Sequence, residues 1–391
     1  MNRLRPYVLL GFLLLLAACS RPLPAPTVVT AVTSVPTPTA MLAGTPAPAS
    51  TLASTSTPLP TGTPTATATP VATATPAPTS TRTPTTTSTP SPSPSPSPAS
   101  TPTPDPYAGL SIADLAARSY GDGELQVTQT LAASKAFTRE LISYASDGLA
   151  IAGFMNTPRK EGPLPVVIVL HGYVEPSRYR TLTYTTPYAD ALARAGYLVI
   201  HPNLRNFPPS DKGDERFRVG QAIDVLNLIA LIQKQGGQPG PLQAADPQRI
   251  GLWGHSMGGG ISTRVLTLNP DVRAAVLYGA MSGDERRNYE KIAVWSGNLR
   301  NQWELTVPEA DLQRISPVHF LDRVAAAVSI HHGDADATVP PAWSADLCQR
   351  LQALGKQVEC FSYPGQPHTF IGEGNSLFIR RTIDFFDRHL R

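Results

Sequence analysis

The stretch Arg249-Ile-Gly-Leu-Trp-Gly-His-Ser-Met-Gly-Gly-Gly-Ile-Ser262 constrains this chain more than any other. It reads as a short apolar strand, a tight turn carrying one serine, and then a helix. Gly254 and Gly258 flank Ser256 at two residues on either side. A serine on a sharp strand-to-helix turn brings neighbouring backbone very close, so a Cβ at either flank would clash. The turn lifts Ser256 Oγ above the sheet edge. It also aims the Met257 N–H, first in the helix, at any oxyanion that forms there. A serine presented this way needs a sheet beneath it, and a base and an acid beside it.

Composition decides which part of the chain can build that sheet. Residues 21–106 hold 22 of the 41 prolines, mixed with Thr, Ser and Ala, and only Arg21, Arg82 and Asp105 carry charge. Such a segment cannot bury a core, so 20–106 is expected to be a disordered, polyproline-like linker. Residues 107–391 are enough for one large α/β domain. Ahead of the linker, Asn2-Arg3-Leu4-Arg5 precedes an apolar run from Tyr7 to Ala18 that ends in Leu16-Ala17-Ala18-Cys19. A positive start and an apolar core shorter than a membrane span describe an export signal over 1–19. Small residues directly before a cysteine resemble a bacterial lipobox. The expectation is an exported lipoprotein, anchored to a membrane through Cys19 and held off the surface by the linker. The net charge of +3 comes without a basic run, which argues against a nucleic-acid partner.

Within 107–391, residues 108–119 have helical spacing and are expected to cover the sheet edge. Runs 136–145 and 149–156 read as antiparallel strands joined at Ser146-Asp147-Gly148. Pro165-Val-Val-Ile-Val-Leu-His171 is continuously apolar, as a parallel strand buried on both faces must be. Strands and helices then alternate. A helix near 188–194 leads to a strand at 197–201, and an amphipathic helix over 218–235 to the strand at 249–254. The helix continuing over 261–268 is followed by a strand at 274–278. After a long insertion come strand 328–332, helix 342–354, strand 358–363 and a last helix over 377–389. This order demands a mostly parallel central sheet with helices on both faces. Its ligand site lies at the carboxyl ends of the strands, where Ser256 sits.

A serine hydroxyl needs a base, and the base an orienting acid. Two later loops offer them: His332-Gly333-Asp334-Ala335-Asp336-Ala337-Thr338-Val339-Pro340, and Tyr363-Pro-Gly-Gln-Pro-His368-Thr-Phe370. Both follow strands. The three motifs, in the order Ser, Asp, His, resemble the prolyl oligopeptidase-type branch of α/β-hydrolases, close to dienelactone-hydrolase-like esterases. The resemblance covers about 136–391. It implies Ser256 as nucleophile, Asp336 as orienting acid with Asp334 as its rival, and His368 as base. It also implies a second oxyanion donor after His171-Gly172, the Tyr173 N–H beside that of Met257. Prolyl oligopeptidase-type enzymes usually carry a β-propeller ahead of this domain. Here the linker takes that place and 107–134 has no repeating strands, which favours esters or small acyl substrates over peptides.

The remaining residues carry less. His255 fills the variable position of the turn and is expected to pack beneath it. His201, His319 and His331 lack metal-ligand spacing, and His331 and His332 face opposite ways on a strand, so no metal or cofactor is expected. Residues 281–323 are long for a crossover and rich in charge and aromatics. They read as a small cap, with Trp295 or Trp303 lining the acyl or leaving-group side, or else as decoration of the rim. Cys348 and Cys360 either form a disulfide or lie as two buried thiols.

Overall fold

The computed structural model describes residues 105–300 and 303–391, so the segments assigned to the export signal, Cys19 and nearly all of the linker lie outside the described residues. The elements run α1 (Ile112–Ala117), β1 (Gln126–Ala133), β2 (Phe137–Ser146), β3 (Leu149–Pro158), β4 (Leu164–Leu170), α2 (Thr186–Ala195), β5 (Leu198–Pro202) and α3 (Val219–Gln235). They continue with β6 (Ala245–His255), α4 (Met257–Leu268), β7 (Val272–Tyr278), α5 (Glu285–Trp295), α6 (Glu309–Ile315), β8 (Ala327–Gly333), α7 (Pro341–Ala353), β9 (Val358–Tyr363) and α8 (Gly372–Leu390).

One nine-stranded sheet has the order β1-β2-β3-β5-β4-β6-β7-β8-β9. The pairs from β1 to β5 are antiparallel, and those from β5 through β4 to β9 are parallel. Every residue of β4 is buried, and its two faces feed two different cores. Val166, Ile168 and Leu170 cluster with Val225, Leu228 and Ile229 of α3. Val167 and Val169 cluster with Leu192 of α2 and with Phe378 and Phe385 of α8. Helices on both sides therefore account for a strand without polar alternation, each such side chain contributing roughly 1.5–3 kcal/mol.

Three expectations need correction. The strand β1 has no counterpart in the sequence reading, because all eight of its residues are exposed and it carries no apolar face. The helix near 108–119 shrinks to six residues, capped by a reciprocal Ser111–Asp114 box. It packs against α4 and α6 rather than over the sheet edge, with Leu115 among Phe217, Ile223 and Tyr289. The helix α3 is not amphipathic: thirteen of its seventeen residues are buried, polar Gln221, Asp224 and Asn227 included. Asp224 is held there by Arg205 at 2.7 Å and Ser146 at 2.7 Å, and Asn227 by Ser146 at 2.9 Å. A buried polar group paired in this way is compatible with a helix sandwiched between layers.

Cys348 of α7 and Cys360 of edge strand β9 are joined by a disulfide. The segment between β7 and β8 contains α5, α6 and two short 3₁₀ turns, Glu304–Thr306 and Pro317–Arg323.

Candidate active site

At the end of β6 the chain turns sharply into α4, and Ser256 takes φ 55° and ψ −116°, a backbone position that costs a non-glycine residue of order 1–3 kcal/mol. The surroundings hold it there. The Ser256 N–H donates to the Tyr278 carbonyl at 2.9 Å, and its own carbonyl accepts from Gly259, Gly260 and Met281. A side chain at Gly258 would be driven into the Leu170 carbonyl oxygen, so α4 can start this close to β4 only with glycine. Gly172, after β4, is equally crowded: a Cβ there would meet the Tyr184 hydroxyl and stand 3.0 Å from Ser256 Cβ. The loop carrying Tyr173 thus passes directly beside Ser256.

Asp336 and His368 are brought together from two different loops, with Asp336 Oδ2 2.7 Å from His368 Nδ1. The other carboxylate oxygen accepts from the Thr338 and Val339 N–H groups at 2.8 and 2.9 Å. Burial alone would raise this carboxyl, but hydrogen bonds from His332 and His368 and the backbone donor outweigh it and hold Asp336 well below the usual carboxylate range. Asp334 does not meet His368. Its Oδ1 accepts from the Gly365 N–H at 2.6 Å, bracing the loop that leads to His368. Residues 278 and 279 lie between the serine and the histidine. Ser256 bonds the Tyr278 carbonyl, and a Cβ on Gly279 would stand 3.2 Å from His368 Nδ1.

Two histidines do more than the sequence suggested. His332 Nε2 lies 3.0 Å from Asp336 Oδ2, and its Nδ1 lies 2.6 Å from Ser344 Oγ. It is thus a second partner fixing the acid, and its place at the head of the His-Gly-x-x-Asp stretch was the available signal. His255 reaches past the turn: its Nε2 donates to the His368 carbonyl at 3.0 Å, and its ring lies tilted against the His368 ring with centroids 4.6 Å apart. Burial, then the nearby His368, lower its pKa to about 3, so it stays a neutral support. His171 turns both ring nitrogens to backbone carbonyls, of Gly172 at 2.8 Å and Asn203 at 2.7 Å.

Tyr173 and Met257 are among the residues that line a cavity of about 750 Å³. The insertion supplies much of its wall, including Tyr289, Trp295, Arg300 and Trp303. Both tryptophans singled out in the sequence therefore face it. The Tyr173 phenol is committed elsewhere: it donates to Glu175 at 2.9 Å and meets Arg300, which also pairs with Glu175 at 2.6 Å.

Comparisons with known proteins agree with this fold. A family model described as "alpha/beta hydrolase fold" matches residues 165–312, and one for the "Prolyl oligopeptidase family" matches 241–391. The esterase YjfP of Escherichia coli (strain K12) is 26% identical over 246 residues, 59% of this chain and 92% of that protein. The uncharacterized peptidase YuxL of Bacillus subtilis (strain 168) is 23% identical over 267 residues, 64% of this chain but only 39% of that protein. Acetyl xylan esterase 1 from Thermoanaerobacterium sp. JW/SL YS485 superposes with a TM-score of 0.52 at 18% identity, over 68% of this chain and 88% of that one. Acylaminoacyl peptidase of Pyrococcus horikoshii gives 0.51 at 21% identity, over 66% and 42%. The fold and the serine turn define an α/β-hydrolase. Within that class, residues 241–391 resemble the prolyl oligopeptidase family, and the chain is similar in sequence to an esterase.

Proposed function

We propose that this chain is a serine hydrolase that cleaves small esters through an acyl-enzyme. The observation that carries the reading is the buried Asp336 carboxylate 2.7 Å from His368 Nδ1, on the same strand ends as a serine at positive φ. Ser256 attacks the acyl carbon while His368 accepts its proton. Asp336, kept ionised by His332 and two backbone N–H groups, holds the imidazole in the tautomer that leaves Nε2 free. The Met257 and Tyr173 N–H groups receive the oxyanion. His368 then protonates the leaving group, and water repeats the sequence to release the acid. The insertion over 281–323 acts as a small cap, with Trp295 and Trp303 against the substrate. Fluorophosphonate labelling and hydrolysis of p-nitrophenyl butyrate, both lost in Ser256→Ala, are the expected results. A wild-type protein that takes no label and cleaves no ester would leave only a non-catalytic binding protein on this fold.

A peptidase reading is favoured by one observation, the match of 241–391 to the prolyl oligopeptidase family. A panel of acyl esters against proline and alanine amides separates the two, and faster turnover of the amides would reverse the preference. The proposal further places the domain outside the cytoplasm, lipidated at Cys19 and carried on the linker over 20–106. Palmitate incorporation lost in Cys19→Ser supports the anchor, and an unlabelled wild type removes it.

A further inference from the structure

Gly172 stands between the serine turn and the loop that carries Tyr173, and the crowding there forbids it a side chain. Without a Cβ its dihedrals are loosely restrained, so something else must fix the backbone. Two side chains do so: the Gly172 carbonyl faces His171 Nδ1 at 2.8 Å, and its N–H donates to the Tyr184 hydroxyl. That carbonyl shares one planar trans peptide with the Tyr173 N–H, so holding Gly172 at both ends aims the N–H beyond it. Tyr184 also reaches further. Its hydroxyl oxygen lies 3.3 Å from His255 Nδ1, the longest of these links, and the other ring nitrogen sets the direction of that bond. His255 Nε2 faces the His368 carbonyl at 3.0 Å, and a carbonyl only accepts, so the proton of the neutral ring sits on Nε2. Nδ1 is then the acceptor, and the Tyr184 O–H donates to it. Burial pushes the Tyr184 phenol well above its usual range, so the hydroxyl keeps that proton. The rings of Tyr278 and His368 pack against the imidazole with centroids 4.3 and 4.6 Å away, opposing a turn that would exchange its nitrogens.

From this we infer that Tyr184 is a positioning residue for acyl transfer: its hydroxyl ties the backbone that aims the Tyr173 N–H to His255, and through His255 to the loop carrying His368. The inference rests on the hydrolase reading for the reaction it serves. It deepens that reading by adding a residue that neither donates to the oxyanion nor moves the proton, since its own hydrogen is committed to His255. The oxyanion donor follows β4 and the base follows β9, and one chain of three hydrogen bonds keeps the two loops in register.

Tyr184→Phe in the full chain keeps the ring and removes only the hydroxyl. On p-nitrophenyl butyrate kcat should fall about thirtyfold with KM changed by less than about twofold, because a misaimed oxyanion donor costs less than a deleted one. His255→Gln retains an amide donor near the Nε2 position and offers no acceptor near Nδ1, so it cuts the same chain at its next link. The double variant should therefore lose no more than the worse single variant. Losses that multiply, a Tyr184→Phe kcat within about threefold of wild type, or a loss carried by KM alone overturns the inference. A measurement on the wild type needs neither variant nor turnover. The ¹⁵N resonances of the His255 ring near neutral pH should report the Nε2–H tautomer with Nδ1 as a hydrogen-bond acceptor. An Nδ1–H tautomer or a charged ring overturns the inference. Where Tyr184→Phe fails to fold, this tautomer and the kcat of His255→Gln decide. The expected tautomer in a protein that cleaves no ester would break the hydrolase reading. Ester cleavage with an unchanged kcat in Tyr184→Phe would break this inference alone.

Discussion

Around Ser256 the neighbours are backbone groups and buried rings. Its N–H and carbonyl are both bonded to main chain, Gly258 lies against Leu170, and Asp336 is closed off by Thr338, Val339 and His332. Around the cavity the ties are instead side chain to side chain and partly open to water. The Arg300–Glu175 pair is nearly half exposed on both sides, and Trp295 and Trp303 are 42% and 43% exposed. The difference teaches where precision is needed. Reacting atoms must be held within about 0.5 Å, which only rigid elements and short backbone contacts provide. A binding wall tolerates looser construction and gains adaptability from it.

Breaking the packed side should therefore cost far more than breaking the open one. Asp336→Asn keeps the shape but removes the charge that orients His368, and kcat should fall about 10⁴-fold with KM little changed. Steady-state kinetics on p-nitrophenyl butyrate would read this, and a loss below tenfold would break the assignment of Asp336.

Acid should attack the packed side next. His201, His255 and His331 are buried, and that burial pushes each down to about 3. A histidine with its folded pKa depressed takes up a proton on unfolding, so its contribution is complete above the unfolded value near 6.5 and is lost as pH falls toward 3. The slope approaches about 1.4 kcal/mol per histidine per pH unit only well below 6.5, so the three together should remove roughly 3 kcal/mol between pH 6.5 and 5.5. Urea midpoints across that window should drop steadily, and a flat profile would show that these rings are not buried neutral.

Gly258→Ala should destabilise by about 3 kcal/mol, since neither the Leu170 backbone nor the start of α4 can retreat. A Tm within a degree of wild type would mean that the turn is less crowded than it stands here. The smallest effect is expected on the open side. Arg300→Ala removes an exposed pair, so stability should change by less than about 1 kcal/mol. Its kcat/KM should shift only a few-fold, through the Tyr173 loop it touches. A hundredfold loss would mean that the clasp positions the oxyanion donor, and would erase the contrast between the two sides.

The parts of the fold legible in the sequence share one property: each is announced by neighbours close in the chain. The uninterrupted apolar run of β4 predicted burial on both faces. The strand, turn and glycines around residue 256 predicted the backbone that Ser256 adopts, and both acid and base motifs followed their strands in the expected order. The strand β1 was invisible because an exposed edge strand needs no apolar face. The all-round burial of α3 was invisible because its polar residues find partners such as Arg205 and Ser146, far away in sequence.

By itself, then, the sequence determined most of the periodic elements, the strained serine turn and the order of the serine, acid and base motifs, since these depend on backbone demands within a few residues. Only the tertiary structure decided which carboxylate meets His368, that His332 and His255 brace the pair, and that Tyr173 and Met257 line one cavity with the tryptophans of the insertion. Those choices arise where loops from separate strands converge at one end of a sheet. Their partners lie from four to more than a hundred residues apart, a range over which local propensity carries no information.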